Sequence, residues 1–221
     1  MEKLISYFQL ILLMAYITAC QSGMKKTFHE NGKLASILRF DEAGQLHGRC
    51  EWYYPNGMKQ MESEYSHNIL DGLQIRYHES GQKQSVILYR NGLMDSTASY
   101  YSVYGDLIAV EKYRNDTLDG GYQRFYESGQ LMLEGDYVQG WMHGIWLFYD
   151  QDGIIVGKAE FNMGDGIQKG YSSNGKLSRI IHYHQNLKHG PEEYYDFEGR
   201  HIKTLHYQYG VVEREEIFLP D

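Results

Sequence analysis

Aromatic residues recur along this chain at fixed distances from a set of glycines. Gly129 is one such reference glycine, with Phe125 four residues before it and Tyr137 eight residues after it. The same arrangement returns at intervals of 22 to 25 residues, and both aromatic positions are filled in every copy. Sixteen aromatic residues in fixed phase indicate a repeat protein of about eight units. The reference glycines are Gly32, Gly57, Gly81, Gly105, Gly129, Gly153, Gly175 and Gly199.

Turn-forming residues separate the two aromatic positions in each copy. The reference glycine usually follows Asn, Ser or Asp, and such dipeptides favour tight hairpins because they tolerate positive φ. Each repeat of about 24 residues is therefore predicted to be one β-hairpin. A second turn is expected between units, at Asp71-Gly72, Asp119-Gly120, His143-Gly144 and His189-Gly190.

Apolar or small residues alternate with polar ones along the predicted strands. Leu133, Gly135 and Tyr137 follow Gly129 with the period of two that is typical of one strand face. On the other strand of a hairpin, the phased aromatic shares its parity with residues such as Ile145 or Leu147. We therefore expect all sixteen phased aromatics to stack along one buried or semi-buried face, with each repeat contacting only its neighbours.

The pattern G-x4-[YF]-x3-G, followed eight residues later by Tyr, resembles the MORN repeat, and more closely the bacterial variant found in YwqK-like proteins. The resemblance covers residues 24–212. It implies an all-β fold, an elongated antiparallel single sheet built from about eight β-hairpin repeats. The chain departs from the pattern at Ser96 and Tyr104 in the fourth unit, and the unit around Gly166 is two residues shorter. A kink or a less regular hairpin is expected at both places.

The N-terminus differs in kind from the repeats. Residues 4–18 are mostly apolar, too short for a comfortable membrane span, and typical of the h-region of a secretory signal. They lead into Ile17-Thr18-Ala19-Cys20, which resembles a bacterial lipobox. The resemblance implies a lipoprotein signal peptide at 1–19 and a lipid anchor with a short linker at 20–23. An ordinary cleaved signal peptide and an uncleaved anchoring helix are the alternatives.

An acylated Cys20 would hold the chain on a membrane through its acyl chains. The expected location is the bacterial cell envelope, with the outer membrane favoured because no acidic residue directly follows the cysteine. Cys50 would then have no disulfide partner, since these are the two cysteines of the chain.

The net charge of -8 restricts the class of partner. Nucleic-acid binding needs stripes of Lys and Arg, which the sequence lacks, so no nucleic-acid partner is expected. The C-terminal residues 213–221 include Glu213, Glu215 and Glu216 and are predicted to form an acidic tail or cap. An open sheet has two edge strands, so a homodimer through these edges stays possible.

A second set of large side chains has the opposite parity to the phased aromatics of the first strands. Aromatic residues and Arg supply most of the binding energy at interfaces, so this set is a candidate partner-binding face. The alternative is that these side chains pack against one another. The set comprises Trp52, Tyr100, Tyr122, Arg124, Trp146, Phe148 and Tyr194.

Signals for a metal or for catalysis are weak. His182 and His184 share one strand face and are weak metal candidates, because a stable site needs three or four ligands. The sequence has no nucleophile elbow, P-loop or H-E-x-x-H motif, so the chain is predicted to be non-enzymatic and without a cofactor. The carboxylates are expected at solvent-facing strand positions, namely Glu51, Glu64, Glu192 and Glu193.

Three functions follow from these observations. The leading interpretation is a lipid-anchored envelope protein that acts as a protein-protein binding module or scaffold. The likeness to YwqK-like proteins implies, alternatively, an antitoxin or immunity-like protein that neutralises a toxin partner. The likeness to eukaryotic MORN repeats implies a membrane-lipid-associating module, although the acidic charge weakens that third interpretation.

Overall fold

The structure, a computed structural model, describes residues 23–218. They form one antiparallel sheet of 17 strands, and each strand pairs with the next along the chain. The predicted all-β single sheet of hairpin repeats is confirmed. Residues 1–22, including the predicted signal peptide and Cys20, lie outside the described residues, as do 219–221. The strands are β1 Gly23–Phe28, β2 Leu34–Phe40, β3 Gly48–Tyr53, β4 Lys59–Ser66, β5 Ile69–Tyr77, β6 Lys83–Arg90, β7 Leu93–Tyr101, β8 Leu107–Arg114, β9 Thr117–Phe125, β10 Leu131–Val138, β11 Trp141–Tyr149, β12 Ile155–Asn162, β13 Asp165–Tyr171, β14 Leu177–His184, β15 Leu187–Tyr195, β16 His201–Gln208 and β17 Val211–Ile217.

Two kinds of turn alternate along the sheet from β3 onward, whereas the longer loop 41–47 joins β2 to β3. The first spans five residues and contains the reference glycine: in 126–130, the Tyr126 N–H donates to the Gln130 carbonyl at 2.8 Å, and the Gly129 N–H donates to the Tyr126 carbonyl at 2.9 Å. The second has two residues, both with positive φ, as in Asn91 (φ 50) and Gly92 (φ 84). Such φ values are those of the primed turns that suit two-residue hairpins. Within residues 23–218 there is no helix, and hence none long and apolar enough to span a bilayer.

The turn between units lies four residues before the predicted position. Asp71-Gly72 lies inside β5, and the turn that precedes it is His67-Asn68. Gly72 has φ 127 and lies opposite Glu64, where the β4–β5 pairing shifts register. The prediction was wrong because a β-bulge and a tight turn both need positive φ, so an Asp-Gly pair does not distinguish them. The same correction applies to Asp119-Gly120, His143-Gly144 and His189-Gly190, which lie inside β9, β11 and β15.

The shorter unit around Gly166 forms a more regular hairpin than the other units, so the kink or less regular hairpin expected there is wrong. Strands β12 and β13 pair from Gly157–Gly170 to Asn162–Asp165 without a register shift. The other hairpins with a two-residue turn all contain a shift. The two missing residues therefore remove the bulge.

The fourth unit is regular, so the kink expected at Ser96 and Tyr104 is wrong. Its five-residue turn retains the usual hydrogen bond from the Ser102 N–H to the Asp106 carbonyl, at 2.8 Å. The Ser102 hydroxyl also accepts hydrogen bonds from the backbone N–H groups of Tyr104 and Asp106, at 3.2 Å each. This side chain stabilises the turn where the usual Asn or Asp before the glycine is absent.

The phased aromatics divide between the two faces of the sheet. Phe161 lies opposite Gly144 and on the same face as Trp146, which lies opposite Ala159. Tyr149 points to the other face, where its hydroxyl donates to Glu134 Oε1 at 2.8 Å. The predicted single ladder of sixteen aromatics is therefore wrong. Since the side-chain period is two, the register set by the five-residue turn decides which positions of the two strands share a face.

The two faces differ in burial. The inner face, defined as the face of Trp146, carries most of the buried side chains and the one apolar cluster found in residues 23–218. The outer face, defined as the face of Tyr149 and Leu147, is more exposed. In the apolar cluster, Trp146, Ala159 and Phe161 are buried, and around them pack Tyr122, Leu133, Tyr137, Met142, Phe148 and Tyr183.

Strands β1 and β17 are the two edges of the sheet. Residues 213–217, predicted to be part of a tail or cap, belong to β17, which pairs with β16 from Lys203–Ile217 to Gln208–Val211. The charged side chains of β17 are of the kind that discourages edge-to-edge pairing.

Candidate functional site

The predicted partner-binding set lies on the inner face, where three of its members pack together. Trp146 is 4% exposed, and its ring centroid lies 5.7 Å from that of Tyr122 and 5.2 Å from that of Tyr137. The indole N–H donates to the Asp136 carbonyl at 3.2 Å. Phe148 packs against the same cluster. Trp146 is thus a core residue, which was the alternative considered for this set.

The other members occupy the inner face of separate strands. Trp52 lies beside Tyr65 with ring centroids 6.2 Å apart, and Tyr100 lies opposite Ala109. Arg124, at the end of β9, is exposed. The structure therefore does not gather these side chains into one contact surface, and their role in binding stays a prediction.

A fully buried carboxylate holds the last member of the set. Glu192 is 0% exposed and lies 2.6 Å from Arg179 Nε and 2.7 Å from Lys188 Nζ, and the Tyr194 hydroxyl donates to it at 2.7 Å. The expectation that Glu192 faces solvent was wrong, because its strand position belongs to the inner face. Burial and the bond to Glu192 raise the pKa of Tyr194 to about 12.

The hydrogen bonds and positive charges around Glu192 lower its pKa by more than burial raises it. Burial acts to raise the pKa of Glu192, but the hydrogen bonds from Lys188 and Tyr194 and the charge of Arg179 hold that pKa below its usual value of 4.5. A carboxylate with a lowered pKa in the folded state stabilises the fold above the pKa of the unfolded state. That stabilisation is lost as the pH falls through the folded-state pKa.

We expect Glu192→Gln to lower the free energy of unfolding by about 1–2 kcal/mol at about pH 7, since Arg179 and Lys188 then lose their counter-charge while remaining partly exposed. The loss should shrink as the pH falls below the usual carboxyl pKa of 4.5, because the unfolded state of the wild type then binds a proton at Glu192, and it should vanish below the lowered folded-state pKa. Urea unfolding above and below these pKa values measures the difference. Glu198→Gln is the matched control: Glu198 is 62% exposed and pairs with Arg200 on the surface, so little change is expected. A pH-independent loss at Glu192 would contradict this account.

On the outer face, side chains link successive repeats. Glu62 accepts hydrogen bonds from Arg49, from Lys59 at 2.7 Å and from the hydroxyl of Tyr77 in the next unit at 3.0 Å. Burial acts to raise the pKa of Glu62, but the bonds from Lys59, Arg49 and Tyr77 hold it below its usual value. Tyr149 and Glu134 repeat the same contact three units further on.

Between these links the outer face is open and apolar. Leu73, Ile145 and Ile167 stand at one position, eight residues before the reference glycine, and are 43%, 53% and 43% exposed. Ile145 lies in a groove of about 560 Å³. We name this groove and the three aliphatic positions the outer strip. The side chains that line the groove include Thr97, Val110, Lys112, Gln123, Glu134, Asp136, Ile145 and Leu147.

The sequence contained the signal for the outer strip, but the predicted register hid it. Ile145 and Leu147 were assigned to the face of the full aromatic ladder, and hence to the buried side. In the structure, half of the phased aromatics lie on the inner face. The outer face, which carries Ile145 and Leu147, is therefore covered only in part by tyrosines and ion pairs. Where exposed apolar side chains are contiguous, they mark a candidate interaction site.

The weak metal candidates are not brought together. His182 Nδ1 lies 2.9 Å from the Pro191 carbonyl, whereas His184 Nδ1 lies 2.9 Å from Asp165 Oδ1. Each imidazole is engaged with a different partner, and His184 has one carboxylate beside it. This pair therefore does not form a three-ligand site.

Comparisons with known proteins agree with the repeat architecture. A family model described as MORN repeat variant matches residues 21–42, 46–67, 70–91, 118–139, 142–163 and 164–185. No curated protein matches the chain. Among solved structures, a TcdB2–TccC3–Cdc42 complex is 12% identical with a TM-score of 0.24, over 86% of this chain and 12% of that chain. A Tc holotoxin pore from Photorhabdus luminescens is 11% identical with a TM-score of 0.21, over 88% of this chain and 15% of that chain. These scores are too low to indicate a shared fold.

Proposed function

We propose that this chain, which belongs to the MORN repeat variant family, is a non-enzymatic protein-binding module of the bacterial cell envelope. The observation that carries the proposal is the outer strip, where aliphatic side chains at one repeated position stay about half exposed on a rigid sheet. Covering such surface is favourable by about 25 cal/mol per Å² of apolar area removed from water. Ile145 and Ile167 present this surface on adjacent units, and Leu73 presents it three units before Ile145, with Thr97 and Gly121 at the same position in between.

The side chains around the outer strip favour one kind of partner. The apolar floor at Ile145 and Leu147 suits a segment with aliphatic or aromatic side chains, and two acidic side chains, Glu134 and Asp136, line the same groove against one basic one, Lys112. With a net charge of -8 on the chain, complementary charge on the partner would be basic. We therefore propose a protein segment with apolar side chains flanked by Lys or Arg.

Membrane attachment is assigned in this proposal to acylated Cys20, outside the described residues, with the outer membrane as the favoured site. The repeats then serve to bind protein and are not needed to bind lipid. An antitoxin role would differ from a scaffold role in the partner that is bound. The partner would then be a toxin that kills cells lacking this chain. Direct association of the repeats with lipid headgroups is disfavoured by the acidic charge.

Cross-linking in intact envelopes, followed by mass spectrometry, tests the proposal. The wild-type chain should capture a partner, and the double variant Ile145→Thr with Ile167→Thr should bind that partner at least ~10-fold more weakly in a purified assay. Threonine keeps the β-branched shape that suits a strand and removes apolar contact area. Cys20→Ser should release the chain from the membrane fraction without weakening binding in solution.

The matched control is Ile154→Thr with Ile155→Thr. These residues are 62% and 50% exposed in the same repeat as Ile145, at and beside a five-residue turn. The control should bind as wild type does. Equal weakening by both double variants, or undiminished binding by the Ile145 and Ile167 variant, would refute the outer strip as the binding site.

A further inference from the structure

Two turns meet at the N-terminal end of the sheet. The loop 41–47 joins β2 to β3, and the turn His67-Asn68 joins β4 to β5. The Leu46 N–H donates to Asn68 Oδ1 at 2.7 Å, and the Asn68 N–H donates to the Leu46 carbonyl at 2.9 Å. This reciprocal pair places the rings of His47 and His67 5.3 Å apart.

A carboxylate with one unused oxygen lies beside the two imidazoles. Asp41 Oδ1 accepts hydrogen bonds from the backbone N–H groups of Ala43 and Gln45, at 2.9 Å each, which hold the carboxylate in place. Asp41 Oδ2 is buried and has no hydrogen-bond partner, and it lies 3.8 Å from His67 Nε2. Buried carboxylate oxygens are normally satisfied, so this oxygen requires an explanation.

At other turns of the sheet, an arginine pairs with the turn carboxylate. Arg90 Nη1 lies 3.5 Å from Asp95 Oδ2, and Arg114 Nη1 lies 3.2 Å from Asp119 Oδ2. In the first turn, His47 stands where the repeats have Asp95 and Asp119. The carboxylate comes instead from Asp41, and its neighbours are imidazoles rather than a guanidinium.

We propose that Asp41, His47 and His67 bind one borderline divalent metal ion, of which Zn²⁺ is the representative. One ligand atom from each residue lies within 4.8 Å of the other two. Two imidazole nitrogens and one carboxylate oxygen form a donor set typical of zinc, with a fourth position left for water or a ligand. Both histidines are exposed, so their side chains can rotate to bring the donor nitrogens to the roughly 2.0–2.2 Å from the ion that zinc requires.

The backbone contacts that orient Asp41 act as the outer shell of the site. Such contacts hold a ligand in a fixed orientation before the metal arrives. The bound ion would cross-link the loop 41–47 to the turn at His67. It would thereby stabilise the part of the sheet where β2 and β3 share only a short pairing, at Ser36–Trp52 and Ile37–Glu51.

Isothermal titration with Zn²⁺ tests the site in the chain purified without an affinity tag and carrying Cys20→Ser, so that this thiol does not compete. One ion per chain is expected, together with a rise in melting temperature. Asp41→Asn and His67→Asn should each weaken binding at least ~10-fold. Asp41→Asn keeps the oxygen that accepts from Ala43 and Gln45, and asparagine occupies the position of His67 in other repeats, so both variants should fold.

His184→Ala is the matched control: Asp165 and the ring of His189, at a centroid distance of 5.5 Å, lie beside His184, but within residues 23–218 only Asp41, His47 and His67 bring three ligand atoms within 4.8 Å of one another. This variant should retain wild-type affinity. Unchanged affinity in Asp41→Asn would overturn the proposal, and so would loss of binding in His184→Ala. Titration with Co²⁺ adds a spectroscopic readout: the visible absorption of a four-coordinate ion should appear in wild type and be lost in His67→Asn, with the circular dichroism of the metal-free chains unchanged.

Discussion

Replacing Trp146 with alanine is expected to lower the free energy of unfolding by about 3–5 kcal/mol. The indole is 4% exposed and contacts rings on both neighbouring strands, so alanine leaves a cavity that the sheet cannot easily close. The lost N–H donor also leaves the Asp136 carbonyl without that partner. Urea unfolding followed by circular dichroism measures the change.

Phe197→Ala is the control for Trp146→Ala. Phe197 is 58% exposed in a five-residue turn, so its truncation should change stability by no more than about 0.5 kcal/mol. Because each repeat contacts its neighbours, hydrogen exchange should show the loss of protection centred on β9 to β14. A Trp146→Ala variant as stable as wild type that fails to bind the partner would instead make Trp146 an interface residue.

The second large effect is expected from Gly135→Ala, at about 1–3 kcal/mol of lost stability and near the upper end of that range. A Cβ at position 135 would lie well inside van der Waals contact of the Trp146 ring. Gly135 lies opposite Tyr122 at the centre of the apolar cluster, and it is not among the positive-φ glycines. The loss would therefore come from overpacking and not from backbone strain.

Gly121→Ala is a close control for Gly135→Ala. Gly121 lies on the neighbouring strand and likewise lacks a positive φ, but its Cβ would meet nothing nearer than Asp136 Oδ1 at 4.0 Å. That variant should be neutral or more stable by a few tenths of a kcal/mol, roughly, because alanine restricts the unfolded chain. Combining Gly135→Ala with Trp146→Ala should cost less than the sum of the two losses, since the smaller residue makes room for the added methyl. Equal stability of Gly121→Ala and Gly135→Ala would contradict the steric account.

Local chemistry in the sequence was sufficient for the repeat architecture. The spacing of aromatics and glycines predicts hairpins of about 24 residues, and the two missing residues around Gly166 mark a hairpin that differs from the others, although its regular pairing is the opposite of the irregularity expected there. These features depend on residues near one another in the chain. Turn formation needs only a few successive φ values, which Asn, Asp and Gly allow.

The candidate surfaces depended on information that is not local. Trp146 changed from a surface candidate to a core residue, and Glu192 changed from a solvent-facing carboxylate to a buried one, because both lie on the inner face. The outer strip and the meeting of Asp41 with His67 follow from pairing between strands and between turns. None of these contacts joins residues that are adjacent in sequence.

By itself, then, the sequence determined the period, the strand class and the hairpin units of this protein. Tertiary structure alone decided which face each side chain occupies and which turns meet. The physical reason is that side chains alternate with a period of two along a strand, so a register shift of one residue exchanges the faces. That shift is set by the geometry of the turns and bulges. Gly72 and Gly129 allow the positive φ that a turn or a bulge needs, but they do not specify which of the two forms.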